Sequence, residues 1–286
     1  MFLLLNSQLF LPPLVNSLRL FLQDTPVVLI IAFFLTWLIC WLPLVAILFM
    51  AFKWQFNQSL QIPPERKIPL VVSLYILVPI IFWGYEQLNL GSFTEYGLVI
   101  DISLIYSLLL GLSLGIIGLT IVFGLEYICG WCYLETANFR LIPPILIPIL
   151  LVALFVGSIE ELIFRGFLLT NLQEICPLWL AAVISSLIFA VLHLVWEQTE
   201  TIPQLPGLWL MGIVLVLARI VDNNNLGIAW GLHAGWVWAI AIVDTAGIIS
   251  YTNKIPEWVT GKYKKPLAGL AGVTCLLITA GVLYLP

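Results

Sequence analysis

Charge is scarce in this sequence: Asp, Glu, Lys and Arg make up 9% of its 286 residues, against 62% hydrophobic residues. A soluble domain of this length needs far more charged side chains on its surface, so the composition excludes an ordinary soluble protein. Apolar runs long enough to cross a hydrocarbon core of about 30 Å recur along the chain. The alternating strands of an outer-membrane barrel are absent from the pattern. The sequence therefore predicts an all-α, polytopic integral membrane protein built as a helical bundle.

An excess of basic residues is also missing. The 11 Lys and Arg are outnumbered by 15 Asp and Glu, the formal net charge is −4, and no basic stripe stands out, so a nucleic-acid partner is excluded. Five scattered cysteines predict no disulfide framework. The first twenty residues lack the basic start and the cleavage site of a secretory signal peptide. We expect them to form a retained interfacial segment.

Eight apolar segments, about as many transmembrane helices, are predicted to cross the bilayer. They are 25–52, 68–85, 98–128, 144–170, 178–196, 207–220, 226–250 and 266–285. Lys and Arg gather in the loops after the first and before the last of these segments, which predicts that both loops are cytoplasmic. A bacterial-type inner membrane is the default location, with an organellar membrane as the alternative. The sequence leaves the oligomeric state open.

The stretch GSIEELIFRGFLL, residues 157–169, places three charges in the fourth predicted span. A charge at the centre of a membrane helix costs about 2.5–3.5 kcal/mol on insertion scales, so pairing is needed. Glu161 and Arg165 are four residues apart, in the order that favours an ion pair. Glu160 is rotated by about 100° from Glu161 and is poorly placed to share that pair. An available carboxylate beside a paired one suits a general base, whereas the alternative is a cluster that only fixes helix packing.

Histidine is rarer than charged residues, with only His193 and His233 in the chain, and both fall within predicted helices. Together with Glu160 they predict a polar site at the centre of the bundle. Three chemistries could use it: hydrolysis with Glu160 activating a water, a zinc site with Glu160, His193 and His233 as ligands, or a proton or ion relay in a transporter. For hydrolysis, we expect the three side chains to converge on one water-sized cavity.

The order and spacing of these residues resemble the three motifs of the CPBP family. This family comprises the CAAX prenyl protease type II and bacteriocin-processing intramembrane endopeptidases, also called the abortive-infection family. The resemblance covers residues 149–238. It rests on Glu160-Glu161-x-x-x-Arg165 followed by Gly166 and Phe167, on Phe189-x-x-x-His193, and on His233 in a later span.

The resemblance implies a glutamic-type intramembrane endopeptidase without an obligate cofactor. Glu160 would activate the water with help from His193, and His233 would donate to the oxyanion. The supporting residues would be Glu161, Arg165 and Phe189. The substrate would be a membrane-associated protein or peptide, with a prenylated CAAX-like tail as one option. Residues 141–250 would form the catalytic core, after an N-terminal membrane region, 1–140, with the interfacial segment and about three spans. Residues 251–286 would hold the basic cytoplasmic loop and the last span.

One position departs from the family pattern. The third motif is usually His-x-x-x-Asn or Asp, and the residue four after His233 is Val237. Losing one oxyanion donor typically lowers turnover by about 10²–10³. Trp236 and Trp238 carry indole N–H donors, but at a helical phase different from that of Val237. The departure supports an alternative: a catalytically weak or inactive family member that acts as a membrane scaffold, partner-binding or immunity protein.

Overall fold

The protein is mostly helical, as a computed structural model describes it for residues 13–52, 64–195 and 198–285. The first half of the chain contains α1 Pro13–Gln23, α2 Pro26–Ala51, α3 Pro64–Tyr75, α4 Leu77–Gln87, α5 Ile102–Ile128 and α6 Ile142–Glu161. The second half contains α7 Leu169–Gln173, α8 Leu178–Leu192, α9 Gln198–Thr201, α10 Leu205–Val221, α11 Gly227–Ala246, α12 Glu257–Thr260 and α13 Leu270–Tyr284. Two short strands, β1 Cys132–Leu134 and β2 Ile249–Tyr251, pair antiparallel and join the ends of α5 and α11.

Seven helical stretches of the described residues are long and apolar enough to cross a membrane. They are Pro26–Ala51, Pro69–Gln87, Ile102–Ile128, Thr136–Gln173, Leu178–Val195, Gln198–Val221 and Gly227–Ala246. These correspond to the first seven predicted spans, and the all-α polytopic bundle is confirmed. The eighth predicted span contains α13, which is apolar but has only 15 residues. At 1.5 Å per residue it is about 22 Å long, shorter than the hydrocarbon core.

The outer surface of the bundle is apolar. Large hydrophobic side chains such as Ile39, Ile128 and Leu151 are more than half exposed, as expected where lipid rather than water surrounds the helices. Residues 1–12 of the predicted interfacial segment lie outside the part of the chain that the structure describes. Helix α1 begins at Pro13. The basic loop residue Lys53 also lies outside them. The five cysteines are all free, in agreement with the absence of a predicted disulfide framework.

Helix α11 is held at the centre of the bundle by close contact with α5. Both helices carry glycines spaced by four residues, Gly111 and Gly115 in α5 and Gly227, Gly231 and Gly235 in α11. A Cβ atom on Gly235 would lie 2.6 Å from the carbonyl oxygen of Leu112, so the backbones approach too closely for a side chain. Small residues at this spacing are what allows two membrane helices to pack backbone to backbone. This contact fixes the height and rotation of α11 against its neighbours.

Candidate active site

The paired carboxylate predicted from spacing is present at the end of α6. Glu161 and Arg165 are fully buried, and Arg165 Nη1 donates to Glu161 Oε1 at 2.9 Å. The predicted ion pair is confirmed. Glu160, directly before Glu161, takes no part in this ion pair. Its Oε1 accepts a hydrogen bond from the hydroxyl of Tyr75 in α3. Its Oε2 is buried and makes no hydrogen bond with the part of the chain that the structure describes.

Arg165 lies in an unusual piece of helix. Leu162–Leu168 forms a π-helix between α6 and α7, and all seven of its residues are buried. Three side chains donate hydrogen bonds to its carbonyl groups: Ser185 Oγ donates to the carbonyl oxygen of Phe164 at 2.7 Å, Asn171 Nδ2 to that of Phe167 at 2.8 Å, and Arg219 Nη1 to that of Arg165.

Phe189 connects the two histidines to this helix. It is completely buried, and the Arg165 guanidinium lies over its ring, 4.3 Å from the centroid. The ring meets those of His193 and His233 edge to face, with centroids 4.6 and 5.9 Å apart. A cation above an aromatic face is stabilised by the negative charge density of the ring. Phe189 therefore supports the arginine and limits the rotation of both imidazoles.

The hydrogen bond of each histidine identifies the nitrogen that carries the proton. His193 Nδ1 lies 2.8 Å from the carbonyl oxygen of Phe189, which can only accept, so Nδ1 donates. In neutral His193, Nε2 then has a free lone pair. His233 Nδ1 lies 2.7 Å from Glu161 Oε1 and donates to that carboxylate, while its Nε2 lies 3.6 Å from Glu160 Oε2. Glu161 thus orients Arg165 and His233 together.

Two cavities meet at His193. The first has a volume of about 120 Å³ and is lined by Tyr75, Glu160 and His193, well above what one water molecule needs. The second, of about 280 Å³, is lined by His193, His233 and Val237 among mostly apolar side chains. The prediction of one cavity for all three residues is thus met in part. Glu160 and His193 share the first cavity, His193 and His233 share the second, and Glu160 and His233 approach each other directly.

Sequence reasoning missed Tyr75, Arg219 and Ser185, which all hold parts of this site. Each is a polar side chain inside an apolar helix, where it needs a hydrogen-bond partner. A polar residue in such a helix is therefore the sequence pattern that could have predicted these contacts. Arg219 is 4% exposed and also donates from Nη2 to the hydroxyl of Thr170 at 3.1 Å and from Nε to the carbonyl of Asn224 at 3.2 Å. It was overlooked because it stands near the end of its predicted span.

The zinc alternative finds no support in the geometry. Within residues 13–52, 64–195 and 198–285, no group of three or more His, Cys, Asp and Glu side chains is arranged to hold a metal ion. The predicted ligand set Glu160, His193 and His233 is therefore not gathered as a metal site.

Residues 142–239 match the family model of the Rce1-like type II CAAX prenyl endopeptidases. This match supports membership of the chain in the CPBP family. The matched segment is roughly a third of the chain and runs from the first residue of α6 into α11, so it includes both glutamates, Arg165, Arg219 and both histidines. Tyr75 lies outside it. No curated protein matches the chain in a sequence comparison. At the level of the family, the match supports a CAAX-type intramembrane peptidase, and the described residues contain seven helices long and apolar enough to cross a membrane.

Proposed function

We propose that this CPBP protein is a glutamic-type intramembrane endopeptidase that hydrolyses a peptide bond of a membrane-associated protein or peptide. The observation that carries the proposal is the approach of His233 Nε2 to Glu160 Oε2, 3.6 Å, beside a cavity that Glu160 shares with His193. A carboxylate oxygen, an unprotonated imidazole nitrogen and room for water are what general-base hydrolysis requires.

In the proposed reaction, a water molecule in the smaller cavity attacks the carbonyl carbon of the scissile bond. Its proton passes to the Glu160 carboxylate, and His193 Nε2 accepts the second hydrogen bond of the same water. The carbonyl oxygen becomes an oxyanion. When the carbon–nitrogen bond breaks, Glu160 returns its proton to the leaving amine. Tyr75 keeps one oxygen of Glu160 in place, so that the other faces the water.

His233 is proposed to stabilise the oxyanion as an imidazolium. Because its Nδ1–H already donates to Glu161, it can donate a second hydrogen bond only when Nε2 is protonated as well. The groups around His233 are the buried carboxyl groups of Glu160 and Glu161, and Arg165 pairs with the latter.

The test is cleavage of membrane-associated peptides, with and without a prenylated carboxyl-terminal tail, by the purified protein in detergent. We expect Glu160→Gln and His193→Gln to lose cleavage while keeping the wild-type unfolding temperature to within a few degrees. Glu126→Gln is the matched control, because Glu126 is a buried carboxylate, 2% exposed, that bonds to Tyr251 away from the site. Full activity of Glu160→Gln would overturn the proposal, and loss of activity with a chelator would overturn its metal-free form.

The second candidate is a member that binds a partner in the membrane without cleaving it, and Val237 is the observation in its favour. Its half-buried aliphatic side chain lines the larger cavity where the family usually places an amide or a carboxyl group. A folded wild-type protein that binds such peptides and cleaves none of them would favour this candidate.

A further inference from the structure

The side chain of Val237 has no hydrogen-bond donor, but the tryptophans of the same helix, α11, carry indole N–H groups. Trp230 Nε1 donates to the carbonyl oxygen of Leu154 at 2.8 Å, and Trp238 Nε1 donates to that of Leu146 at 2.9 Å. Both bonds tie α11 to α6. Trp236 differs from the two others: it is 4% exposed, and its Nε1 finds no acceptor among the described residues.

A buried N–H group without a partner is unfavourable and rare in folded proteins, so a specific instance needs an explanation. Trp236 stands three residues after His233, which places the two side chains on neighbouring positions of one helix face. It also lines the larger cavity together with His193, His233 and Val237. The unpaired donor therefore belongs to a residue that borders the same space as both histidines.

We propose that Trp236 Nε1–H donates a hydrogen bond to the carbonyl oxygen of the scissile peptide bond as that oxygen becomes an oxyanion. Trp236 would be a catalytic residue, and its indole would replace the side chain that the family pattern places four residues after His233. The proposal rests on the peptidase function proposed above. It explains two observations together, the aliphatic Val237 and the unpaired indole next to it.

The first test uses Trp236→Phe, which removes the N–H group and keeps an aromatic ring in the core. We expect kcat to fall by about 10²-fold or more, with KM changed less than threefold, because an oxyanion donor acts in the transition state. Trp230→Phe is the control for removing an indole N–H from this helix, and we expect its kcat to stay within threefold of the wild type. The double variant Trp236→Phe/Val237→Asn should regain at least tenfold of the lost activity. A kcat of Trp236→Phe within twofold of the wild type would overturn the proposal.

A second measurement does not depend on turnover. The wild-type protein, labelled with ¹⁵N on its indoles, is titrated with a peptide aldehyde, whose hydrated carbonyl imitates the tetrahedral intermediate. We expect the indole N–H signal that is absent from Trp236→Phe to move downfield on binding, while the Trp230 signal stays in place. Binding of the aldehyde without a change of the Trp236 signal would overturn the proposal. A wild-type protein that cleaves no peptide, although its Trp236 signal still shifts with the aldehyde, would overturn the peptidase function and would leave only the hydrogen bond from Trp236 to a bound carbonyl group.

Discussion

The guanidinium of Arg219 donates a hydrogen bond to the backbone carbonyl of Arg165, so one buried arginine of this protein holds the backbone of another. Arg219 has no carboxylate partner among the residues that the structure describes, and its three donor atoms meet Arg165, Thr170 and Asn224. It thus connects α10 to the π-helix and to the turn before α11. The position of Arg165, and through it that of Glu161, depends on this link.

Replacing Arg219 with methionine should destabilise the protein by about 2–4 kcal/mol, because two carbonyl groups and one hydroxyl lose their donor inside the bundle. The measurement is thermal unfolding in detergent, followed by circular dichroism. Arg140→Met is the control, since Arg140 is exposed at the start of the long fourth span. Equal unfolding temperatures for the two variants would contradict the assigned role of Arg219.

Tyr75→Phe should lower kcat by roughly tenfold, since a hydrogen bond to a charged group contributes about 1.5–3 kcal/mol and part of that orients Glu160. Peptide cleavage at saturating substrate measures the effect. Tyr106→Phe serves for comparison, because Tyr106 is 69% exposed on the outer face of α5. An unchanged kcat in Tyr75→Phe would mean that Glu160 keeps its orientation without the tyrosine.

Features carried by local spacing could be predicted from the sequence. The seven long spans follow from the lengths of apolar runs, and the Glu161–Arg165 pair follows from the four-residue turn of a helix. Both signals lie within one element. The third predicted span, 98–128, shows the limit, because α5 begins only at Ile102 and the exposed Asp101 stands immediately before it. The number of apolar residues in a segment does not distinguish the residue that caps a helix from the residues of its first turn.

Contacts between distant elements could not be predicted in the same way. Tyr75 and Glu160 are 85 positions apart, and Arg165 and Arg219 are 54 apart. Their pairing depends on how the helices are arranged, which hydrophobic periodicity does not specify. The π-helix could not be predicted for a related reason: its carbonyl groups accept hydrogen bonds from side chains of α7, α8 and α10, which the sequence of Leu162–Leu168 does not reveal.

Asp101 should make the stability of α5 depend on pH. Its carboxylate accepts hydrogen bonds from the backbone N–H of Leu104 at 3.0 Å and from the hydroxyl of Ser103 at 2.8 Å, and these bonds lower its pKa, the backbone bond most. A carboxyl group whose pKa is lower in the folded state stabilises the fold above the ordinary pKa of about 4, and the contribution is lost as the pH falls through the folded value.

We therefore expect Asp101→Ala to unfold at a lower temperature than the wild type at pH 7, with the difference shrinking as the pH falls below about 4. Asp101→Asn keeps an oxygen that can cap the helix but has no charge to lose. Its difference from Asp101→Ala should stay constant over the same range. A gap between wild type and Asp101→Ala that does not narrow in acid would show that the charge of Asp101 contributes nothing.

The close contact between Gly235 and α5 sets the position of α11. In Gly235→Ala, the new methyl group would lie 2.6 Å from the Leu112 carbonyl oxygen and 3.3 Å from the Cα of Gly115, so α11 must move away from α5. His233 stands two residues earlier on the same helix and would move with it. We expect the free energy of unfolding to fall by about 1–3 kcal/mol, as for other overpacked cores. The rate of peptide cleavage should fall by a larger proportion than the stability does.

Gly124→Ala separates this effect from the general preference of helices for alanine. Gly124 also lies within a membrane helix, α5, but apart from the adjacent backbone of its own helix no atom of the described residues lies within 4 Å of where its Cβ would stand. Alanine is favoured over glycine by about 1 kcal/mol inside a helix, so Gly124→Ala should be as stable as the wild type or more stable. If both variants gained stability, the α5–α11 contact would have to be looser than the structure describes. If Gly235→Ala alone lost stability and cleavage together, the position of His233 would be tied to the glycine contact two residues away.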